Sequence, residues 1–295
     1  MAPSRGALLA AASAVSYGCL AVLAKLAYGE GWNIPSLLTA RFLLAGLFVL
    51  PLALPQGVSG TSWKGFGSGL LVGAVGYAGT TALYFPSLAR LPVAVASFLL
   101  YLSPPLVAML GWLLFRERLG RRGLVAMGLA LAGLVMLSLG GLDGTLSLIG
   151  IALAAGSAVV FACTIVASRH LTAGLAWPRA TLAVCTGAFL TYLVFSAATH
   201  RLHVPPSLRG LMYAFGIGTL ATGVALSLFM AALPLIGASR TALISTLEPV
   251  STLIIGAIVL AEVPSWLGLA GGALILGAAG LVALEGPTVA QTPFE

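Results

Sequence analysis

Charge is what this sequence has least of. Only 7% of its 295 residues are Asp, Glu, Lys or Arg, against 60% hydrophobic residues and a mean hydropathy of +1.09. A soluble domain carries roughly a quarter charged residues, so this chain has too few polar groups to cover a globular surface. There is one aspartate, Asp143, which excludes the aspartyl type of intramembrane protease, whose chemistry needs two. The three histidines, His170, His200 and His203, fall at the ends of apolar segments and form no HExxH-like zinc set. No glycine-rich phosphate loop is present, so ATP does not drive the protein directly. No metal, cofactor or enzymatic activity is expected. The three cysteines, Cys19, Cys163 and Cys185, lie inside apolar segments and read as small packing residues. The formal charge of +7 comes from basic residues at segment ends. They gather in no single patch, which argues against nucleic acid as a partner. A channel would call for a ring of like charges or a carbonyl filter motif, and neither stands out.

What is present is a series of long apolar runs. About 20 apolar residues span a bilayer as a helix, and open sheets are excluded there by their unsatisfied backbone edges. Cutting the chain at proline, glycine and charge clusters predicts ten spans: 6–28, 35–54, 65–89, 92–115, 121–140, 148–170, 178–199, 208–233, 237–260 and 265–285. The expected class is an all-α polytopic membrane protein with short connections. Lys and Arg counts then predict orientation. With the N-terminus cytoplasmic, that side holds Arg5, Lys64, Arg116, Arg118, Arg121, Arg122, Arg169 and Arg179. The other side holds Arg90, Arg201 and Arg209. Both termini are therefore expected inside, with the first segment retained rather than cleaved as a signal peptide.

The second half repeats the first. At an offset of 144, Ser13, Ala14, Val15, Cys19 and Val22 match Ser157, Ala158, Val159, Cys163 and Val166, while Tyr17 pairs with Phe161 and Lys25 with Arg169. At an offset of 145, Gly73 matches Gly218, Tyr84 matches Phe229, Pro104 matches Pro249 and Glu117 matches Glu262. Repeat one covers about 6–140 and repeat two about 148–285, joined only by Gly140–Gly144, so residues 1–295 read as a single transport domain with short terminal tails. Five spans per repeat is an odd number, which turns the second repeat upside down. Two inverted five-helix repeats around a central cavity are expected.

On the duplicated unit, the Ser103–Pro105 segment leading into Phe115–Gly120, and the run Thr246–Ser265 with its Glu-Pro pair and later glutamate, the chain resembles the drug/metabolite transporter superfamily, specifically its EamA-type ten-helix members. Within these it is most similar to bacterial exporters of aromatic and other neutral amino acids. The resemblance implies an inward N-terminus, alternating access and a cavity lined by helices 1, 3, 4, 6, 8 and 9. It implies small-molecule export, with amino acids as the first substrate class. The alternatives are a related carrier of a nucleotide sugar or drug-like cation, or a passive facilitator. A nucleotide sugar would need more cavity Lys or Arg than this chain offers.

Particular residues stand out. Glu248 lies mid-span in the ninth helix, where an ionised carboxylate costs several kcal/mol unless paired or hydrated. Thr241, Ser245, Glu248 and Thr252 share a helical face, and Pro249 removes a backbone hydrogen bond beside the acid. The matched position in repeat one is Ser103, so only one repeat carries the acid. The reading is a site for an ammonium group or a proton; the alternative is a buried acid held by hydroxyls or Arg240. A second set comprises Tyr17, Tyr77, Thr80, Tyr84, Ser97, Tyr101 and Phe161, with Thr222 and Phe229 as repeat partners of Tyr77 and Tyr84. Rings with a few hydroxyls suit an amphipathic solute, against ordinary interhelical packing. Arg41 and Arg240 are candidate gating or structural charges. The bland reading of Arg41 is snorkelling to the interface, and that of Arg240 is headgroup or loop-carbonyl contact. Pro104 and Pro249 are expected to break their helices. Gly65, Gly69 and Gly73, like Gly268 and Gly272, show small-xxx-small spacing, expected to serve packing within a monomer, with a homodimer seam as the alternative.

Overall fold

Among the described residues, ten helices of 18 to 29 residues are each long and apolar enough to cross a membrane. The computed structural model describes residues 4–54, 63–88, 90–91, 93–116, 119–139, 147–205, 207–261 and 263–284. Glu117, Arg118, Gly140–Gly144 and Glu262, invoked above, lie outside the described residues. The spans are α1 (Arg5–Gly29), α2 (Ile34–Ala53), α3 (Trp63–Ser87), α4 (Val95–Phe115), α5 (Arg121–Leu139), α6 (Leu148–Leu171), α7 (Trp177–Ala198), α8 (Leu208–Ile236), α9 (Ala238–Val259) and α10 (Trp266–Ala283). They match the expected spans to within a few residues. At Pro234 the expected stop is wrong: α8 runs through it to Ile236, because a proline in the last turn removes one hydrogen bond without ending the helix.

Local sequence starts these helices. Ser4, Asn33, Ser147, Ser207 and Ser265 accept a backbone N–H from three residues ahead, at 2.9–3.3 Å. Each satisfies one of the orphan donors of a helix start. Large apolar side chains such as Leu8, Val15, Leu47, Val75, Val194 and Ile258 stand exposed on outer faces, as lipid contact requires. Inside, small residues dominate: Ala10, Ala45, Ala126, Ala154, Ala162, Ala183, Ala188 and Ala278 are wholly or almost wholly buried. Lipid tails are as apolar as leucine, so association in a bilayer rests on such close packing.

The packing respects the duplication. α5 lies on α10 and α2 on α7; α1 packs on α8 and α9 as α6 packs on α3 and α4. Exchanging the repeats maps each of these pairs onto another or onto itself. The glycines explain the tightest crossings. A Cβ on Gly73 would collide with the Val184 backbone, and one on Gly218 with the Leu44 side chain and the Arg41 carbonyl. Gly69 meets Ala183, while Gly268 and Gly272 face Leu253 and Val250 of α9, so these small residues serve contacts within the chain. Gly133 and Gly271 face each other's carbonyls across α5 and α10.

Two helix types are interrupted, each twice. α3 contains a π-helical stretch at Val72–Tyr77 and α8 one at Thr219–Val224. α4 consists of the helices Val93–Leu100 and Ser103–Phe115, and α9 of Ala238–Ser245 and Leu247–Val259. The breaks fall just before Pro104 and Pro249, which occupy the first turn of each second half-helix. Proline is well tolerated there because its missing N–H would have no helical partner. Both segments also end on a left-handed non-glycine residue, Arg116 (φ 55°) and Ala261 (φ 53°).

Candidate functional site

The interruptions meet near the middle of the bundle. Tyr17, Arg41, Tyr77, Tyr101, Phe161, Thr222 and Glu248 all lie near the midpoints of their spans, the level at which π-turns and broken helices place ion and substrate sites in inverted-repeat carriers. Glu248 falls in the first turn of the half-helix Leu247–Val259. The break thus sets an acid at the positive end of a helix, which favours negative charge. It also corrects the picture of one continuous polar stripe from Thr241 to Thr252, since Thr246 separates the two half-helices.

The Tyr101 hydroxyl lies beside the Glu248 carboxylate, and Arg41, Tyr17 and Tyr84 lie within its electrostatic range. Glu248, Tyr17, Tyr84, Ser97 and Phe161 keep part of their surface accessible, whereas Tyr77 and Tyr101 behind them are buried. Gly18 permits the approach: a Cβ there would strike Ser251 and the Glu248 carbonyl, and Thr252 donates to the Gly18 carbonyl at 3.1 Å. Tyr84 and Ser97, predicted separately, share a hydrogen bond of 2.9 Å between α3 and α4.

Arg41 turns inward. It is 6% exposed, its Nε donates to the Thr222 hydroxyl at 2.8 Å, and its guanidinium stands 5.0 Å from the centre of the Phe42 ring, within cation–π range. This sets aside snorkelling. Thr222 lies in the π-stretch of α8 and donates in turn to the Ile217 carbonyl five residues back, at 2.8 Å. The π-turn therefore orients the hydroxyl that holds the arginine.

Other expected residues sit elsewhere or are engaged locally. Thr80 is buried and donates to the Gly76 carbonyl; Ser245 donates to the Thr241 carbonyl. Phe229 is 3% exposed, packed in the core with Leu226 and Met230. Arg240 is in the first turn of α9, two turns from Glu248. Tyr192 on α7 escaped the sequence reading. It donates to the Ala78 carbonyl at 3.0 Å, meets the Thr81 hydroxyl, and stacks on Phe42 with ring centres 6.1 Å apart. Its signal was available, a tyrosine well inside an apolar span. Two further concavities lie at opposite ends of the bundle. One, of about 360 Å³, is lined by Arg5, Ser168, Arg169, Thr172 and Trp177. The other, of about 610 Å³, is lined by Tyr28, Trp32, Asn33 and Arg201. The charged midplane cluster is separate from both, and its grouping of opposite charges with aromatic rings makes it the better candidate for recognition.

Ten apolar helices in two inverted repeats, broken around a midplane cluster of polar groups, define a multi-pass membrane carrier. The family model of the EamA-like transporters matches residues 4–139 and 148–284, and the chain belongs to that family. A solved structure described only as "Crystal structure of protein" is similar to it, at 23% identity and a TM-score of 0.79, over 95% of this chain and 98% of that one. At that identity the likeness concerns the fold. No curated protein matches the chain significantly. The chain is thus a membrane transporter of small solutes.

Proposed function

We propose that the chain is a secondary transporter that exports aromatic and other neutral amino acids across a bacterial inner membrane, with both termini cytoplasmic. Residues 1–295 act as one transport domain, in which the two repeats rock against each other and expose the midplane cluster to each side in turn. The observation that carries this reading is the grouping of Glu248 with Tyr101, Tyr17 and Tyr84 at the break of α9. An acid offers an ammonium group its counter-charge, and rings suit an apolar or aromatic side chain. Glu248 holds the substrate's ammonium group or, in the empty site, a proton, which couples export to the proton gradient.

Uptake of labelled phenylalanine into proteoliposomes, with and without an imposed pH gradient, tests the reading. The gradient should stimulate wild-type transport. Glu248→Gln should abolish that stimulation, with downhill exchange persisting only at raised phenylalanine concentration. Unchanged gradient dependence in the variant removes Glu248 from coupling, and absence of amino-acid flux in the wild type overturns the substrate class.

A further inference from the structure

Resting on the amino-acid reading above, a closer look at the charges narrows what the site accepts. The midplane holds a buried arginine from repeat one and an acid from repeat two, Arg41 and Glu248. They feel each other electrostatically, yet among the described residues no ion pair joins Arg41 to a carboxylate. Each instead has a neutral hydroxyl beside it. Thr222 takes the Arg41 Nε at 2.8 Å, and the Tyr101 hydroxyl lies beside Glu248. Nε is the inner edge of the guanidinium, so this bond fixes the plane of the fork and leaves its two Nη groups without a hydrogen-bond acceptor among the described residues. A carboxylate is the ligand that matches such a fork in both geometry and charge. Glu248 likewise keeps acceptor capacity beside Tyr101, since a carboxylate has about four lone-pair sites.

Two separated charges of opposite sign inside a membrane are costly. One solute carrying both complementary charges relieves both costs at once. Tyr17 lies within electrostatic range of Arg41 and of Glu248, so its ring and hydroxyl stand beside a solute bridging them. The exchanged positions are neutral and buried: Val184 stands where repeat two would carry Arg41, and Ser103 where repeat one would carry Glu248. The pseudo-symmetric scaffold therefore offers one orientation for such a solute.

We infer that Arg41 and Glu248 form a zwitterion clamp, in which the Arg41 Nη groups take the α-carboxylate and the Glu248 carboxylate takes the α-ammonium of one amino acid. The clamp selects for the amino-acid head and discriminates against amines, carboxylic acids and phosphate esters of the same size. The side chain it accepts is uncharged, since among the described residues no further charged group flanks Glu248 and Arg41 in this cluster.

Three probes of one shape separate the charges: L-phenylalanine, phenethylamine without the carboxylate, and 3-phenylpropionate without the ammonium. Thermal stabilisation of the purified full-length protein in detergent, and inhibition of phenylalanine exchange in proteoliposomes, report binding of each. A charge-assisted contact contributes enough that wild type should prefer phenylalanine over either half-ligand by at least about tenfold in concentration. Arg41→Gln should erase the preference over phenethylamine and keep that over phenylpropionate; Glu248→Gln should do the reverse. Phenethylamine binding wild type as tightly as phenylalanine overturns the clamp while leaving the amino-acid reading intact. Stabilisation by none of the three overturns both. Should either variant fail to fold, the wild-type ranking of the three probes decides the question alone.

Discussion

Arg41 and Val184 occupy equivalent places in the two repeats, as do Ser103 and Glu248, and the comparison separates scaffold from chemistry. The scaffold is kept on both sides. Gly73 rests on the Val184 carbonyl as Gly218 rests on the Arg41 carbonyl, both third helices carry a π-stretch, and both fourth helices break before a proline. Pro35 and Pro178 open the second helices, and Gly31 and Gly174 precede them with φ of 94° and 85°. The charges are not kept. Each repeat contributes one sign, and the partner position is filled by a residue that packs. Backbone features let the repeats interlock and move as equivalent bodies, while the side chains at the seam decide what is carried.

The largest expected effect breaks the scaffold. Gly73→Ala places a methyl against backbone of α7, which cannot give way, whereas Gly218→Ala first meets the Leu44 side chain. Overpacking costs typically 1–3 kcal/mol, and Gly73→Ala should reach or exceed about 3 kcal/mol while Gly218→Ala stays lower, measured by denaturant unfolding in micelles. Equal losses would mean that the two crossings are not distinguished by their neighbours. A middle effect tests the unequal chemistry. Thr222→Val deprives a buried guanidinium of its acceptor, and hydrogen bonds to charged groups contribute about 1.5–3 kcal/mol. Tyr77→Phe, at the matching place, removes no acceptor from a guanidinium and should cost less in the same assay. The smallest effect is at Tyr84, whose counterpart Phe229 already lacks the hydroxyl. Tyr84→Phe loses the 2.9 Å bond to Ser97, worth about 1 kcal/mol. A double-mutant cycle with Ser97→Ala should show coupling of that order, and zero coupling would leave the contact without energetic weight.

The sequence pattern carried the spans, the repeats and the two proline breaks, because hydropathy and an internal duplication are one-dimensional signals. It also pointed to Tyr84 and Ser97, which lie on consecutive helices. It did not reveal which way Arg41 faces. α2 is apolar all round, so helical periodicity distinguishes no inner side, and the Thr222 hydroxyl that draws the arginine inward lies 181 residues away. Nor did it reveal the π-stretches, since VGAVGY and TLATGV differ in no compositional way from ordinary helix. The same gap hid Tyr192, whose partners Thr81 and Ala78 are set by the α3–α7 crossing.

The π-stretches have a consequence for how these helices tolerate change in length. Each carries extra chain within a turn, so the segments on either side are rotated relative to an unbroken helix by roughly the 100° that one residue subtends. Winding Val72–Tyr77 as regular α-helix with its residue count unchanged would swing the far end of α3 round and carry Tyr84 off Ser97, whereas deleting one residue there would let regular winding keep Tyr84 in place. In these two helices a one-residue deletion is absorbed within the π-stretch, while the same deletion elsewhere in the span is a change of aim.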